Sequence, residues 1–510
     1  MVSKIISSSI VGIAGVKVLV EVDLSQGIPT FDIVGLPDSA IKEAKERVRL
    51  SLKNTGVEFP LRRITVNLAP ADLKKEGPAF DLPIAIGILC SMGIIEYGKI
   101  KDIFFSGELS LDGMIKPVTG ILPMVHNLSQ GGVNTFVVPH ENKEEAALIR
   151  GINVYGAKSL KELIEHFKRP IIEPAVPKDH TEEFLQNFIE LDFKDVKGQE
   201  NVKRALEIAA SGYHNILMIG PPGSGKTMMA KRLKYIMPNL NFDESIEVTK
   251  IYSISGLLSD KEALVSNRPF RSPHHTISYA ALTGGGRFPK PGEISLAHKG
   301  ILFLDELPEF HRNVLEVLRQ PLEEKFVNIS RVGGNVTYPS DFCLVASMNP
   351  CPCGNLFNGD KCSCRLSDVS KYLAKISGPL LDRIDIQVET SQINYDDIGY
   401  KSQSQAENSE TIKKRVLKTI EIQKNRYKDE NIKYNSELGP SQIEGYCQLD
   451  EASHALLKSA FDDLGLSMRA YHKILKLSRT IADMEERENI EIHHIAEAIQ
   501  YRSLDRKYWK

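Results

Sequence analysis

Asn215-Ile216-Leu217-Met218-Ile219-Gly220-Pro221-Pro222-Gly223-Ser224-Gly225-Lys226-Thr227 runs from an apolar stretch through a glycine-rich turn into a helix-like segment. Strand, turn and helix in that order predict a phosphate-binding loop. Glycine lets backbone N–H groups close on phosphate oxygens, the Lys226 ammonium neutralises the outer phosphates, and the Thr227 hydroxyl is placed to hold Mg2+. A chance glycine-rich turn is the competing reading, and the flanking strand and helix count against it. The expectation is an α/β nucleoside triphosphatase domain that binds its nucleotide through residues 220–227.

The downstream sequence supplies the other parts such a site needs. Ile301-Leu302-Phe303-Leu304 reads as a buried strand ending in Asp305 and Glu306. Asp305 is expected to hold the Mg2+ shell, and Glu306 to polarise the attacking water, since a general base must sit near the metal but not on it. Cys343-Leu344-Val345-Ala346-Ser347 is a second strand, and Asn349 at its end can orient that water; an Asn before Pro is otherwise a turn former. Arg383, in the run 377–385, is read as an exposed arginine able to stabilise phosphoryl charge from a neighbouring subunit, the alternative being a surface salt bridge. Arg469 opens a helix capped by Ser467 and either reaches the same phosphates or is simply solvated.

With 510 residues the chain should form about three domains. Boundaries are expected at 1–170, a proline-rich linker 171–190, a motor core 191–392, and a helical region 393–510. Lys plus Arg (64) nearly cancels Asp plus Glu (66), so any nucleic-acid site must be local rather than a global field. The apolar run 82–95 is short for a membrane span and contains Pro83 and Gly87, so it predicts a buried helix. Val18, Val20, Val22 and Leu24 alternate as in a half-buried strand. No membrane partner and a cytoplasmic location are the expectation.

Of seven cysteines, Cys351, Cys353, Cys362 and Cys364 form two CxC pairs, enough thiolates for one tetrahedral Zn2+; free thiols or a labile disulfide are the alternatives. Two stretches offer DNA contacts. Residues 326–338 read as a hairpin with Arg331 near its tip and Lys325 at its base. Residues 268–290 mix Arg271, Arg287 and a His274-His275 pair with Phe270, Tyr279 and Phe288. Ordinary surface charge explains the hairpin equally well. Neither pattern can read base edges, so binding should be sequence-tolerant and salt-sensitive.

The order of these motifs resembles the AAA+ ATPases, and within them the magnesium-chelatase-like group. Residues 269–276 (Pro-Phe-Arg-Ser-Pro-His-His-Thr), 292–298 (Gly-Glu-Ile-Ser-Leu-Ala-His), 307–310 and 378–385 are similar to its YifB/ComM branch over nearly the whole chain. That resemblance implies an AAA+ α/β/α sandwich with a parallel sheet, an all-α C-terminal lid, ATP and Mg2+ as cofactors and a ring-shaped, hexameric assembly. It also implies helicase or branch-migration activity on DNA during natural transformation; ATP-driven remodelling of a protein complex, as by the magnesium chelatase I subunit, is the alternative. Residues 73–82 and 107–113 resemble the α+β catalytic domain of Lon proteases, of the ribosomal protein S5 domain 2-like fold. Ala79 and Leu122 occupy the positions of that family's nucleophilic serine and its lysine, so Ser-Lys proteolysis is not expected there.

Overall fold

The computed structural model describes residues 2–178, 190–258, 262–286, 289–331, 334–356, 362–391 and 407–509. Arg287, Phe288, Val332 and Gly333, residues 179–189 of the expected linker and the tract 392–406 lie outside the described residues, as does the side chain of Arg331. The chain divides into two compact units: Met1–Glu183 with Phe242–Ser266, and Phe184–Asn241 with Asn267–Lys510.

In the first unit, the alternating apolar residues form β1 (Ser3–Val11) and β2 (Ala14–Ser25), an antiparallel hairpin turning at Gly12, whose φ of 63° suits glycine. Val18, Val20 and Val22 are fully buried, as the alternation predicts. With β3 (Phe31–Val34), β4 (Arg63–Ala69), β5 (Ile103–Phe105), β6 (Thr135–Pro139) and β7 (Asn153–Ala157), they build a sheet ordered β3-β4-β2-β1-β5-β6-β7. The run read as a buried helix is the helix Asp81–Ser91, whose residues from Leu82 to Leu89 are all buried. Its first residue, Asp81, is buried too and is held by bidentate contacts from Arg47 at 2.6 and 2.9 Å.

The helix Phe242–Ser255 belongs to this unit, although the sequence reading ran the motor unbroken over 191–392. Polar contacts explain its placement. Ser253 Oγ donates to the buried Glu145 carboxylate at 2.5 Å, and Lys250 Nζ lies 3.1 Å from His126 Nδ1. Glu145 also accepts from Leu122 N at 2.9 Å, so the position where a lysine would serve proteolysis holds a buried leucine whose backbone is already committed.

The second unit is built on a five-stranded parallel sheet. Its strands are β8 (Ile216–Ile219), β9 (Phe270–Arg271), β10 (Ile301–Leu304), β13 (Cys343–Met348) and β14 (Ile386–Glu389), with β11 (Phe326–Arg331) and β12 (Gly334–Pro339) forming a separate antiparallel hairpin. The order is β9-β10-β13-β8-β14, every pair parallel. β8 and β10 are buried throughout, which is why both read as unbroken apolar runs. Strand order reverses at β8, with β13 on one side and β14 on the other, and that reversal opens a crevice beyond the carboxyl end of β8, where Gly220 begins.

C-terminal helices, including Ser409–Arg426 and Met468–Met484, complete this unit. Ser467 caps the latter by accepting from Ala470 N at 3.2 Å, and Ile474, Leu475, Ile481 and Ala482 are buried along one face. The helix is joined to the sheet by a buried ion pair, Lys473 Nζ to Asp385 at 2.6 Å; Asp385 also accepts from Asn215 N at 2.9 Å, at the entrance to β8. Burial alone would raise the Asp385 carboxyl. The Lys473 ammonium and the His214 ring reverse that and hold it well below the usual carboxylate range. A depressed carboxylate stabilises the fold fully above its unfolded pKa of about 4, and that contribution is lost as pH falls further, through the folded value. Asp385→Ala leaves a buried, unpaired ammonium and is expected to destabilise the motor by about 3–5 kcal/mol, read from its urea midpoint, whereas pairing it with Lys473→Met should recover most of the loss.

Candidate nucleotide site and four-cysteine cluster

The sheet order puts β13 between the strand that leads into the glycine-rich loop and the strand that ends at Asp305. The loop, the paired carboxylates and Asn349 therefore converge at one end of the sheet. Gly223 and Gly225 have φ of 75° and 86°, left-handed values that let the loop turn tightly into the helix Lys226–Ile236. Gly220 admits no side chain, since a Cβ there would fall 1.9 Å from Thr390 Oγ1. Ser224 Oγ meets the same Thr390 hydroxyl at 2.7 Å, pinning the loop to the end of β14.

Lys226 Nζ donates to Gly220 O at 2.7 Å, Pro221 O at 2.9 Å and Asn349 Oδ1 at 3.3 Å. Burial pushes this ammonium below the usual lysine value, and Asp305 and Glu306 partly restore it. Thr227 Oγ1 donates to Asp305 Oδ2 at 2.7 Å. Two oxygens side by side on one Mg2+ at about 2.1 Å stand about 3 Å apart, so the pair is spaced to hold that ion. Ser347 Oγ donates to the other Asp305 oxygen, fixing the carboxylate from the neighbouring strand. Sequence reasoning missed Ser347, although it is the lone hydroxyl in an otherwise apolar strand. Glu306 has a φ of 54°, strained for a side-chain-bearing residue, and its carboxylate is about half exposed, with His275 Nδ1 3.6 Å away.

Arg383 is not exposed as read from sequence. It is 8 % accessible: Nε donates to Arg319 O at 3.1 Å, Nη1 donates to Pro379 O at 2.6 Å, and Nη2 pairs with Glu323 at 2.5 Å. The turn at Gly378–Leu381 and the helix Arg319–Glu324 close over it. Arg469 is exposed at the start of its helix and has no hydrogen bond or ion pair among the described residues.

Two cations offered for DNA are committed within the chain. Arg271 forms a bidentate pair with Glu293 at 2.6 and 2.7 Å. Lys325 lies between Glu437 and Asp341; burial would lower its ammonium, and the two carboxylates instead hold it above the usual value. The hairpin carrying Arg331 forms as expected, paired from Phe326↔Pro339 to Arg331↔Gly334. The His274 and His275 rings lie 4.1 Å apart and tilted by 34°, with His274 Nδ1 2.9 Å from the Thr276 hydroxyl, a local turn rather than a metal pair.

The four cysteines come together. Cys351, Cys353 and Cys362 have Sγ–Sγ separations of 3.4, 3.8 and 3.7 Å, and Cys364 brings the group within 4.8 Å overall. Thiolates around one Zn2+ at about 2.3 Å stand about 3.8 Å apart, whereas a disulfide needs about 2.05 Å. Backbone N–H groups of Asn355 and Ser363 draw the Cys353 thiol down to about 6, favouring the thiolate that ligates metal. The donor set fits a structural Zn2+. Glu485, His493 and His494 also cluster, but His494 Nδ1 accepts from Glu491 N at 2.8 Å, so its Nε2 carries the proton facing Glu485 and has no lone pair for a metal.

A parallel sheet with this strand order, a glycine-rich loop at its switch point and an Asp-Glu pair two strands away define a P-loop protein of the AAA+ class. Magnesium chelatase subunit ChlI families match residues 20–142 and 192–398, and the C-terminal domain of that subunit matches residues 406–502. Competence protein ComM of Haemophilus influenzae is 42% identical over 98% of this chain and 97% of its own length, and the uncharacterized protein YifB of Escherichia coli is 40% identical over 97% and 96%. Lon protease 2 of Bacillus subtilis is 27% identical over 25% of this chain and 23% of its own. The chain belongs to the YifB/ComM family of magnesium-chelatase-like AAA+ ATPases.

Proposed function

We propose that this protein is an ATP-driven motor that assembles as a hexameric ring in the cytoplasm and acts on single-stranded or branched DNA as a helicase or branch-migration translocase. The convergence of Lys226, Thr227, Asp305 and Asn349 at one sheet end carries the hydrolytic half of this reading. Residues 220–227 hold the phosphates, Thr227 and Asp305 the Mg2+, Glu306 activates water, and Asn349 orients it. Arg383 and Arg469 stabilise phosphoryl charge, Arg383 from the neighbouring subunit after it leaves Glu323. Near-full-length similarity to a competence protein supports DNA as the substrate, as does the hairpin bearing Arg331. Arg331, Lys325, Arg271 and Arg287 are the candidates for phosphate contact, and Arg271 and Lys325 would have to leave the carboxylates they face to make it. Cys351, Cys353, Cys362 and Cys364 hold one structural Zn2+. The first unit acts as a scaffold without proteolysis, given Ala79 and Leu122.

The test is ATP turnover without nucleic acid, with single strands and with a four-way junction, at rising salt. A DNA motor gives DNA-stimulated turnover whose apparent DNA affinity falls steeply with salt, as phosphate neutralisation requires. Turnover indifferent to DNA at low salt points instead to remodelling of a protein complex, the reading that the match to a magnesium chelatase subunit favours.

A further inference from the structure

The four-cysteine loop is built into the wall of the nucleotide site. β13 ends at Met348, and only Pro350 separates Asn349, which meets Lys226, from the first thiol, Cys351. Three residues further, Gly354 (φ 81°) lies against the phosphate loop: a Cβ there would stand 2.4 Å from Pro222 Cδ and 2.8 Å from Pro222 Cγ. Pro350, Gly354 and Leu356 line a cavity of about 400 Å³ together with Gly220, Pro221 and Tyr508. A cavity of that size beside a phosphate loop suits a nucleoside.

The loop has little else to order it. Among its described residues from 351 to 365, only Cys351 and Gly354 are buried. A segment so poor in core takes its conformation from whatever cross-links it, and the four sulfurs stand at the separations a single Zn2+ imposes.

We propose that Zn2+ at Cys351, Cys353, Cys362 and Cys364 sets the affinity of the adjacent pocket for ATP, by holding Gly354 against Pro222 and Asn349 against Lys226. The inference rests on the zinc and ATP readings given above. Linkage makes the effect reciprocal: if the metal tightens nucleotide binding, bound nucleotide tightens the metal by the same factor.

The full chain is prepared zinc-loaded and zinc-stripped, zinc is counted by elemental analysis, and binding of a fluorescent ATP analogue is titrated with Mg2+ restored. Stripping is expected to weaken analogue binding at least tenfold, and saturating ATP to strengthen zinc retention against a competing chelator by a similar factor. Gly354→Val separates the contact from the metal: it should keep one zinc per chain and still lose about tenfold in analogue affinity. If one zinc binds and neither stripping nor Gly354→Val changes analogue affinity, the coupling is overturned while the metal site stands. A chain that takes up no zinc overturns the metal reading and the coupling with it. A zinc-loaded chain that binds no analogue overturns the ATP reading instead.

Discussion

Glu306→Gln is expected to bind ATP and Mg2+ as tightly as the parent while losing about 10²–10⁴-fold in turnover, the usual contribution of a positioned general base. The geometry allows this separation. Glu306 follows Asp305 at the end of β10 and touches it through its backbone, whose N–H donates to Asp305 Oδ1 at 3.1 Å, a contact that a side-chain change leaves in place. Its half-exposed carboxylate and left-handed backbone turn it away from the strand, where it can take up a water. An amide of the same shape preserves that placement and removes only the basicity. Lys226→Ala, by contrast, should weaken binding itself. Single-turnover hydrolysis beside fluorescent-nucleotide titration distinguishes the two, and a Glu306→Gln protein that hydrolyses ATP normally removes Glu306 from the mechanism.

Arg383→Ala is expected to lower turnover by about 10³-fold or more, the effect of removing an arginine that stabilises transferred phosphoryl charge. Within one chain, however, the guanidinium is held by Glu323, Arg319 O and Pro379 O, so its loss also unties a local structure. Mixing separates these roles. Arg383→Ala subunits keep Glu306, and Glu306→Gln subunits keep Arg383, so a mixed ring contains interfaces with both groups intact. Recovery of activity on mixing two inactive proteins establishes action between subunits. No recovery, together with a lowered thermal midpoint for Arg383→Ala, assigns Arg383 to its own chain's packing.

The parts legible in sequence are those whose signal is local. The phosphate loop, the apolar strands β8 and β10, the buried helix Asp81–Ser91 and the Ser467 cap each show within a few residues, because backbone conformation and burial impose a short period or a fixed spacing. What sequence did not reveal depends on partners distant in the chain. Arg383 looked exposed because Glu323 is not its neighbour in sequence, and Lys325 looked free because Asp341 and Glu437 come from other segments. Residues 242–266 follow the helix Lys226–Ile236 of the motor, yet hydrogen bonds to Glu145 and His126 place them with the first unit. The packing of Gly354 on Pro222 has no one-dimensional trace at all.

The most direct measurement of the central claim is disruption of a fluorescently labelled four-way DNA junction by the purified full chain. Separation of the arms that requires ATP and Mg2+, fades with salt and is absent in Glu306→Gln is the predicted result. Brisk ATP hydrolysis in the same tube, with the junction left intact at low salt, would contradict a DNA motor.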